Sequence, residues 1–165
     1  MVDRLDEIEE AWRRERPDVD VGPLVLVGRL FRAVHLADAQ LAAGLSAFDL
    51  QPGWFDLLAA LRRAGKPYQL KPTELSRATM LSSAGMTKRL DRMAAADLVE
   101  RRPDPSDRRA TLVRLTPRGR RTIDAALPAH VSTEAGLLAG LTRQDRRSLD
   151  TVLRKILADL EPGSD

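Results

Sequence analysis

The sequence predicts a mostly α-helical protein with one small β-hairpin, and three observations support this. Apolar residues recur at helical spacing along most of the 165 residues. Two short runs rich in β-forming residues, 98–102 and 110–115, flank a proline-rich, charged turn at 103–109. Two short helical patterns joined by a tight turn precede this hairpin. The order helix, turn, helix, hairpin is that of a winged helix-turn-helix, in which the hairpin is the wing.

Residues 1–50 are predicted to form two N-terminal helices. The first, over residues 3–16, has one apolar face formed by Leu5, Ile8 and Trp12. The second, from about residue 21 to residue 47, is long for a chain of this size. Because a helix of three turns cannot bury an apolar face alone, the first helix must dock on the body of the protein or on a second subunit.

Residues 51–116 are predicted to form the winged helix-turn-helix module. The first helix of the pair runs from Pro72 to Met80, and Ser82 is expected to cap a second helix over residues 83–96. At 100° per residue, one stripe of this second helix is apolar, and its members are Met86, Leu90 and Met93. The opposite face is small and polar, as it must be in a helix that lies in a DNA major groove.

Residues 117–165 are predicted to form C-terminal dimerisation helices. Thr116 and Pro117 begin one helix, Pro128 is expected to kink it, and Thr142 with Asp145 resembles a capping box. The last helix has an apolar stripe formed by Leu149, Val152, Leu153, Ile156, Leu157 and Leu160. One-sidedly apolar helices at both ends predict that two copies interlock across a twofold axis, within one compact domain per chain. A homodimer would hold two DNA-reading helices about one helical turn apart.

Charge is segregated along the chain. Residues 71–121 hold 13 basic and 6 acidic residues, whereas the rest of the chain holds 14 basic and 18 acidic ones. A local positive field attracts a polyanion to one surface, which favours double-stranded DNA as the partner. The alternative explanation for the charge alone is arginine-rich codon usage, since 23 of the 27 basic residues are arginine.

Three stretches, 81–93, 97–109 and 113–119, resemble the MarR family of bacterial transcription regulators. The resemblance covers the chain from about Val21 to Leu160. It implies that Arg109 of the wing enters a minor groove and that Asp107 orients it. The alternative is that these two side chains pair only to close a surface loop.

The same reasoning selects the residues expected to contact DNA. In the helix-turn-helix they are Ser82, Ser83, Thr87, Lys88 and Arg92, and in the wing they are Asp107, Arg108 and Arg109. Asp91 faces the same way as Lys88, but its negative charge would be repelled by DNA. We therefore expect Asp91 to orient a neighbouring arginine.

Four further residues form a candidate ligand site: Trp12, Asp56, Arg89 and Arg101. Arg89 lies closer to the interior than to the DNA face, and a half-buried arginine requires an anion, for which Asp56 is the candidate. The set is similar to that of the urate-responsive branch of the MarR family. That resemblance implies that urate or a related aromatic anion stacks near Trp12, pairs with Arg89, displaces Asp56 and thereby releases Arg101. The alternative is that Trp12 anchors the dimer, that Asp56 is a charge on the helix surface and that the two arginines contact phosphates.

Other functional classes are disfavoured. The chain has no cysteine, which excludes disulfides, thiolate redox sensing and cysteine-ligated zinc. No glycine-rich phosphate loop, nucleophile elbow or metal-ligand spacing occurs, and His35 and His130 are interpreted as isolated structural histidines. We expect no enzyme activity, no cofactor and no metal. The absence of a long apolar run or a leader predicts a cytoplasmic protein without a membrane partner.

The sequence therefore predicts a ligand-responsive DNA-binding transcription regulator, a repressor that binds pseudopalindromic operators as a homodimer. Two alternatives remain open. One is a constitutive or architectural DNA-binding protein without a small-molecule effector. The other is a protein-interaction scaffold, whose DNA affinity would lack the steep salt dependence that a repressor requires.

Overall fold

The computed structural model describes residues 3–51, 53–79 and 85–161, with the backbone alone at positions 108 and 109. These residues form seven α-helices and one three-stranded antiparallel sheet, which confirms the predicted fold class. The chain divides into two compact units, one up to Ala43 and the other from Gly44 onward.

The N-terminal unit contains helix α1 (Arg4–Glu15) and most of helix α2 (Gly22–Ser46), close to the predicted bounds. Asp3 caps α1 by accepting hydrogen bonds from the backbone N–H groups of Leu5 and Asp6, and the Asp6 carboxylate accepts from the backbone N–H of Asp3. Arg29 of α2 forms ion pairs with both aspartates. The cap and the ion pairs together join the start of α1 to α2.

The second unit contains the remaining elements. They are α3 (Trp54–Arg63), β1 (Gln69–Leu70), α4 (Pro72–Ala78), α5 (Met86–Ala95), β2 (Val99–Asp104), β3 (Asp107–Leu115), α6 (Pro117–Leu137) and α7 (Arg143–Leu160). Its core draws fully buried side chains from α3, α4, α5, β3 and α6, namely Leu57, Leu58, Leu61, Leu75, Leu90, Met93, Val113 and Ile123. Each such side chain contributes about 1.5–3 kcal/mol relative to exposure, so this core fixes the position of α5.

The wing differs from the prediction in two respects. Its strands extend to Asp104 and from Asp107, so only Pro105 and Ser106 remain between them. A strand that was not predicted, β1, pairs with β3 and gives the sheet order β1, β3, β2. Two residues are too few to show a strand periodicity, and pairing with β3 alone makes them a strand.

The start of the second helix of the pair was predicted wrongly. Helix α5 begins at Met86, three residues after the predicted start at Ser83. Its N-cap is Gly85, whose φ of 79° lies in the left-handed region that favours glycine. Ser82, the predicted cap, lies outside the described residues. The buried stripe of Met86, Leu90 and Met93 is confirmed.

The C-terminal helices begin where predicted. The Thr116 hydroxyl accepts from the Gly119 N–H at 2.9 Å, and Thr142 and Asp145 form a capping box. Helix α6 continues through Pro128 to Leu137. No residue of α7 is buried, and its apolar stripe is open to solvent, with Val152 and Leu157 each 51% exposed. Among the described helices, none is long and apolar enough to cross a bilayer.

Candidate nucleic-acid interface

Helix α5, the recognition helix, presents a polar face to solvent. Thr87, Lys88, Asp91 and Arg92 are exposed on it, while the apolar stripe lies in the core. A helix anchored on one side and polar on the other has the geometry required to enter a major groove. Two of the predicted DNA contacts, Ser82 and Ser83, lie outside the described residues.

The recognition helix is joined to the wing by Arg101 of β2. The Arg101 Nη2 atom lies 2.7 Å from Asp91 Oδ1 and donates to the Thr87 carbonyl at 3.4 Å. The expectation that Asp91 orients an arginine agrees with this ion pair. Because the pair is exposed, its stabilising effect is small, but it sets the direction of the wing base relative to the helix.

Asp104 fixes the turn of the wing. It is only 6% exposed and accepts hydrogen bonds from the Ser106 hydroxyl at 2.6 Å and the Ser106 backbone N–H at 2.8 Å. The Lys71 ammonium, just before α4, lies 3.1 Å from its other oxygen. These contacts lower the pKa of Asp104 to about 2. The Ser106 hydroxyl has the largest effect, followed by the Ser106 N–H and by Lys71. The wing is thereby tied to the helix-turn-helix.

A cavity of about 200 Å³ lies between the N-terminal end of α3 and the recognition helix. We name it the basic cavity, and it is lined by Gln51, Trp54, Gly85, Lys88, Arg89 and Arg92. Arg89 is half-buried, and its Nη1 atom is fully buried without a hydrogen-bond partner among the described residues. A buried guanidinium nitrogen without an acceptor is energetically unfavourable.

Comparison with known proteins identifies the family. The model of the MarR family matches residues 48–110. The HTH-type transcriptional regulator PecS of Dickeya dadantii (strain 3937) is 34% identical over 152 residues, which cover 92% of each chain. The chain belongs to the MarR family.

Solved structures agree with this assignment. The crystal structure of a mutant MarR from E. coli with operator DNA has 27% identity and a TM-score of 0.73, covering 84% of this chain and 99% of that one. The structure of BpsR from Bordetella bronchiseptica, a protein whose DNA binding is regulated by 6-hydroxynicotinic acid, has 29% identity and a TM-score of 0.71. That match covers 79% of this chain and 91% of BpsR. This MarR-family chain is a DNA-binding transcription regulator.

Of the four predicted ligand residues, one lines the basic cavity. Arg89 lines the basic cavity, whereas Arg101 pairs with Asp91 instead of Asp56. Asp56 is exposed in the first turn of α3, where a negative charge is favourable at the helix N-terminus, and it forms no ion pair within the described part of the chain. The predicted pairing of Asp56 with Arg89 is therefore wrong. Trp12, 45% exposed, belongs to the other compact unit.

The wing residues start β3. Asp107 is its first residue, opposite Asp104 in the register, and Arg108 and Arg109 follow it. The side chains of the two arginines lie outside the described residues. Their predicted contacts with DNA stay predictions.

His130 is not an isolated histidine. Its ring stacks on Phe55 with centroids 4.0 Å apart, and Nε2 lies 3.5 Å from a carboxylate oxygen of Glu134. The interpretation as isolated was wrong because Glu134 follows four residues later on the same helix face. Within residues 3–51, 53–79 and 85–161, no three His, Cys, Asp or Glu side chains could hold a metal ion.

We expect Asp104→Asn to destabilise the wing. The carboxylate pKa is lowered from 3.8 to about 2 on folding, so its stabilising effect is complete above about pH 4 and is lost as the pH falls through that range. Urea unfolding of wild type and variant should show a difference at pH 7 that shrinks towards pH 3. Asp150→Asn, in an exposed ion pair with Arg154, is the control and should cost almost nothing. A difference independent of pH would contradict the role of the charge.

Proposed function

We propose that this MarR-family regulator is a homodimeric repressor and that a small aromatic anion, such as urate, lowers its affinity for operator DNA. The observation that carries the effector part is Arg89. Arg89 lines the basic cavity, and its Nη1 atom is buried without an acceptor among the described residues. A bound anion would supply that acceptor.

The chemistry of the basic cavity favours an anion over a neutral ligand. Lys88, Arg89 and Arg92 all line it, and none of the described acidic side chains does. Trp54 adds an aromatic surface to one wall. A planar anion would satisfy the guanidinium through charge-assisted hydrogen bonds, which are stronger than neutral ones.

The size of the basic cavity limits the ligand. About 200 Å³ is below the usual 300–1,000 Å³ of pockets for drug-sized ligands, so a compact ligand of one or two fused rings suits it. In BpsR, the regulator of DNA binding is 6-hydroxynicotinic acid, a single-ring aromatic acid. This supports the same class of effector here.

Lys88 couples the ligand to DNA. Lys88 is exposed on the recognition helix and also lines the basic cavity. An anion bound in the cavity would therefore attract the Lys88 ammonium, which is the group expected to contact DNA. A ligand lowers operator affinity only by binding the DNA-free state more tightly. Competition for Lys88 provides that difference in affinity.

A homodimer is supported by the apolar surface at the C-terminal end of the chain. Leu149, Val152, Ile156, Leu157 and Leu160 on α7 are each at least 37% exposed. Contiguous apolar surface of this kind is typical of an interface. Sedimentation that gives a monomer mass would contradict this part of the proposal.

Arg89→Gln is expected to remove the response to ligand. The loss of a charged hydrogen-bonding group corresponds to about 1.5–3 kcal/mol, or a weakening of urate binding by roughly 10- to 150-fold. Operator binding without ligand should change much less, because Arg89 is half-buried. The measurement is fluorescence anisotropy of labelled operator DNA, titrated with protein at several urate concentrations.

The matched control is Arg77→Gln, which removes an arginine of α4 that does not line the basic cavity. Its ratio of affinities with and without urate should equal that of wild type. An intact response in Arg89→Gln would place the effector elsewhere. If no aromatic anion shifts either the melting temperature or the operator affinity of wild type, the protein is a constitutive DNA-binding regulator.

A further inference from the structure

A second basic concavity lies at the base of the wing. This sheet groove has a volume of about 710 Å³ and includes five cationic side chains, Lys66, Arg102, Arg114, Arg120 and Arg121. They come from the loop before β1, from strands β2 and β3, and from the first turns of α6. The volume falls within the range of small-molecule sites.

The sheet groove lies on the face of the sheet that is turned away from the recognition helix. Neighbouring residues of a strand point to opposite faces, and Arg101 points to the recognition helix, where it meets Asp91. Arg102 and Arg114 therefore point the other way, since Arg114 is paired in register with Glu100. Arg114 is also eight residues along β3 from Ser106 in the wing turn, roughly 25 Å. The sheet groove is thus on the opposite face of the sheet from the recognition helix.

The positive charge of the sheet groove is only partly compensated. Among the described residues, Glu100 is the one acid that lines it, and it is shared by Arg102 at 2.8 Å and Arg114 at 4.0 Å. Arg120 lies 3.8 Å from Asp124, outside the lining. Lys66 and Arg121 take part in no ion pair within the part of the chain that the structure describes. An excess of cations therefore lines one open groove.

Tyr68 lines the sheet groove, and its backbone conformation is fixed by the turn that contains it. Its φ of 62° is unfavourable for a residue with a side chain, and the turn holds it there through hydrogen bonds from its N–H to Gly65 O and from the Leu115 N–H to its carbonyl. The Arg62 and Arg120 guanidinium carbons lie 5.0 and 5.8 Å from the ring centroid. The Arg120 guanidinium therefore lies beside the Tyr68 ring at the edge of the groove.

We propose that the sheet groove binds a compact polyanion with two or more linked phosphate groups, independently of the basic cavity. Arginine guanidinium groups match phosphate oxygens in planar, bidentate geometry. The cations are spread over several elements around one volume, so a chain of phosphates contacts more of them than a single phosphate does. Such a ligand would bridge the wing base and α6.

Inorganic tripolyphosphate is the probe for this proposal. We expect wild-type protein to bind it in isothermal titration calorimetry without DNA, and Arg121→Gln to bind it about tenfold more weakly. Arg121 is exposed, so the variant should fold normally, which circular dichroism and the melting temperature without ligand can verify. Arg118→Gln is the matched control, because Arg118 is exposed on the same helix but does not line the groove.

Two results would overturn the proposal. Equal weakening by Arg118→Gln and Arg121→Gln would show general attraction by charge and not a site. Displacement of tripolyphosphate by operator duplex, with an equal loss of operator affinity in Arg121→Gln, would make the groove a contact to the DNA backbone. Binding that persists in Arg89→Gln and is weakened only by groove variants supports it. That pattern also keeps this test distinct from the effector proposed for the basic cavity.

Discussion

Gly119→Ala is expected to lower the free energy of unfolding by about 3 kcal/mol or more. Gly119 lies in the first turn of α6, and a Cβ atom there would be 1.9 Å from the Leu98 carbonyl oxygen and 2.8 Å from its carbon. Both atoms belong to the backbone, so a side-chain rotation cannot relieve the overlap. The same Leu98 oxygen accepts the Thr116 N–H at 3.2 Å, which ties the residue before β2 to the cap of α6.

The consequence should appear in both stability and DNA binding. For a chain of this size the loss corresponds to a fall in melting temperature of roughly 6–12 °C. Calorimetry of wild type and variant measures it. Gly136→Ala is the matched control on the same helix, because a Cβ atom there has nothing within 4 Å, and it should be neutral or stabilising by up to about 1 kcal/mol. A Gly119→Ala protein as stable as wild type would show that α6 is not packed this closely against the residue before β2.

The helices were predictable from the sequence because their signals are local. The capping box of Thr142 with Asp145 and the proline at position 117 are each encoded within one turn. The stripe of Met86, Leu90 and Met93 follows from helical periodicity, and the core confirms it. Each of these features depends on neighbours a few residues apart, which the sequence places without knowledge of the fold.

The errors concern features that depend on tertiary contacts. Strand β1 exists only because Gln69 and Leu70 pair with β3, more than forty residues later. The start of α5 was placed too early because Ser82 is a favourable cap by residue type, whereas Gly85 provides the left-handed turn. The link between Lys71 and Asp104 joins residues more than thirty positions apart. The one local signal was the sequence Asp104-Pro105-Ser106, which is typical of an Asx turn and indicates the role of Asp104 in the wing turn but not its partner Lys71.

The candidate site illustrates the same limit. The helical angle of Arg89 correctly indicated that it lies towards the interior. Which acid meets which arginine could not be read from spacing, and Arg101 pairs with Asp91 on the facing helix while Asp56 stays exposed. Long charged side chains reach several ångströms, so the fold and not the interval along the chain decides their partners.

Lys88→Ala is expected to have the largest effect on operator recognition. Lys88 is exposed on the recognition helix, whose other face is locked into the core through Leu90 and Met93. A side chain that reads a base edge contributes about 1–3 kcal/mol, roughly 5- to 150-fold in affinity. A phosphate contact would instead weaken binding to all sequences about equally.

The experiment compares two duplexes, an operator selected from a random pool and a scrambled duplex of the same length and composition, at two salt concentrations. Lys88→Ala should lose more affinity for the operator than for the scrambled duplex at both. Lys155→Ala is the control, because it removes an exposed lysine of α7, outside the winged helix-turn-helix, and it should leave both affinities unchanged. Equal losses on both duplexes would reassign Lys88 to the DNA backbone. Because Lys88 also lines the basic cavity, the variant should respond less to urate, and a full response would show that ligand and DNA do not share this side chain.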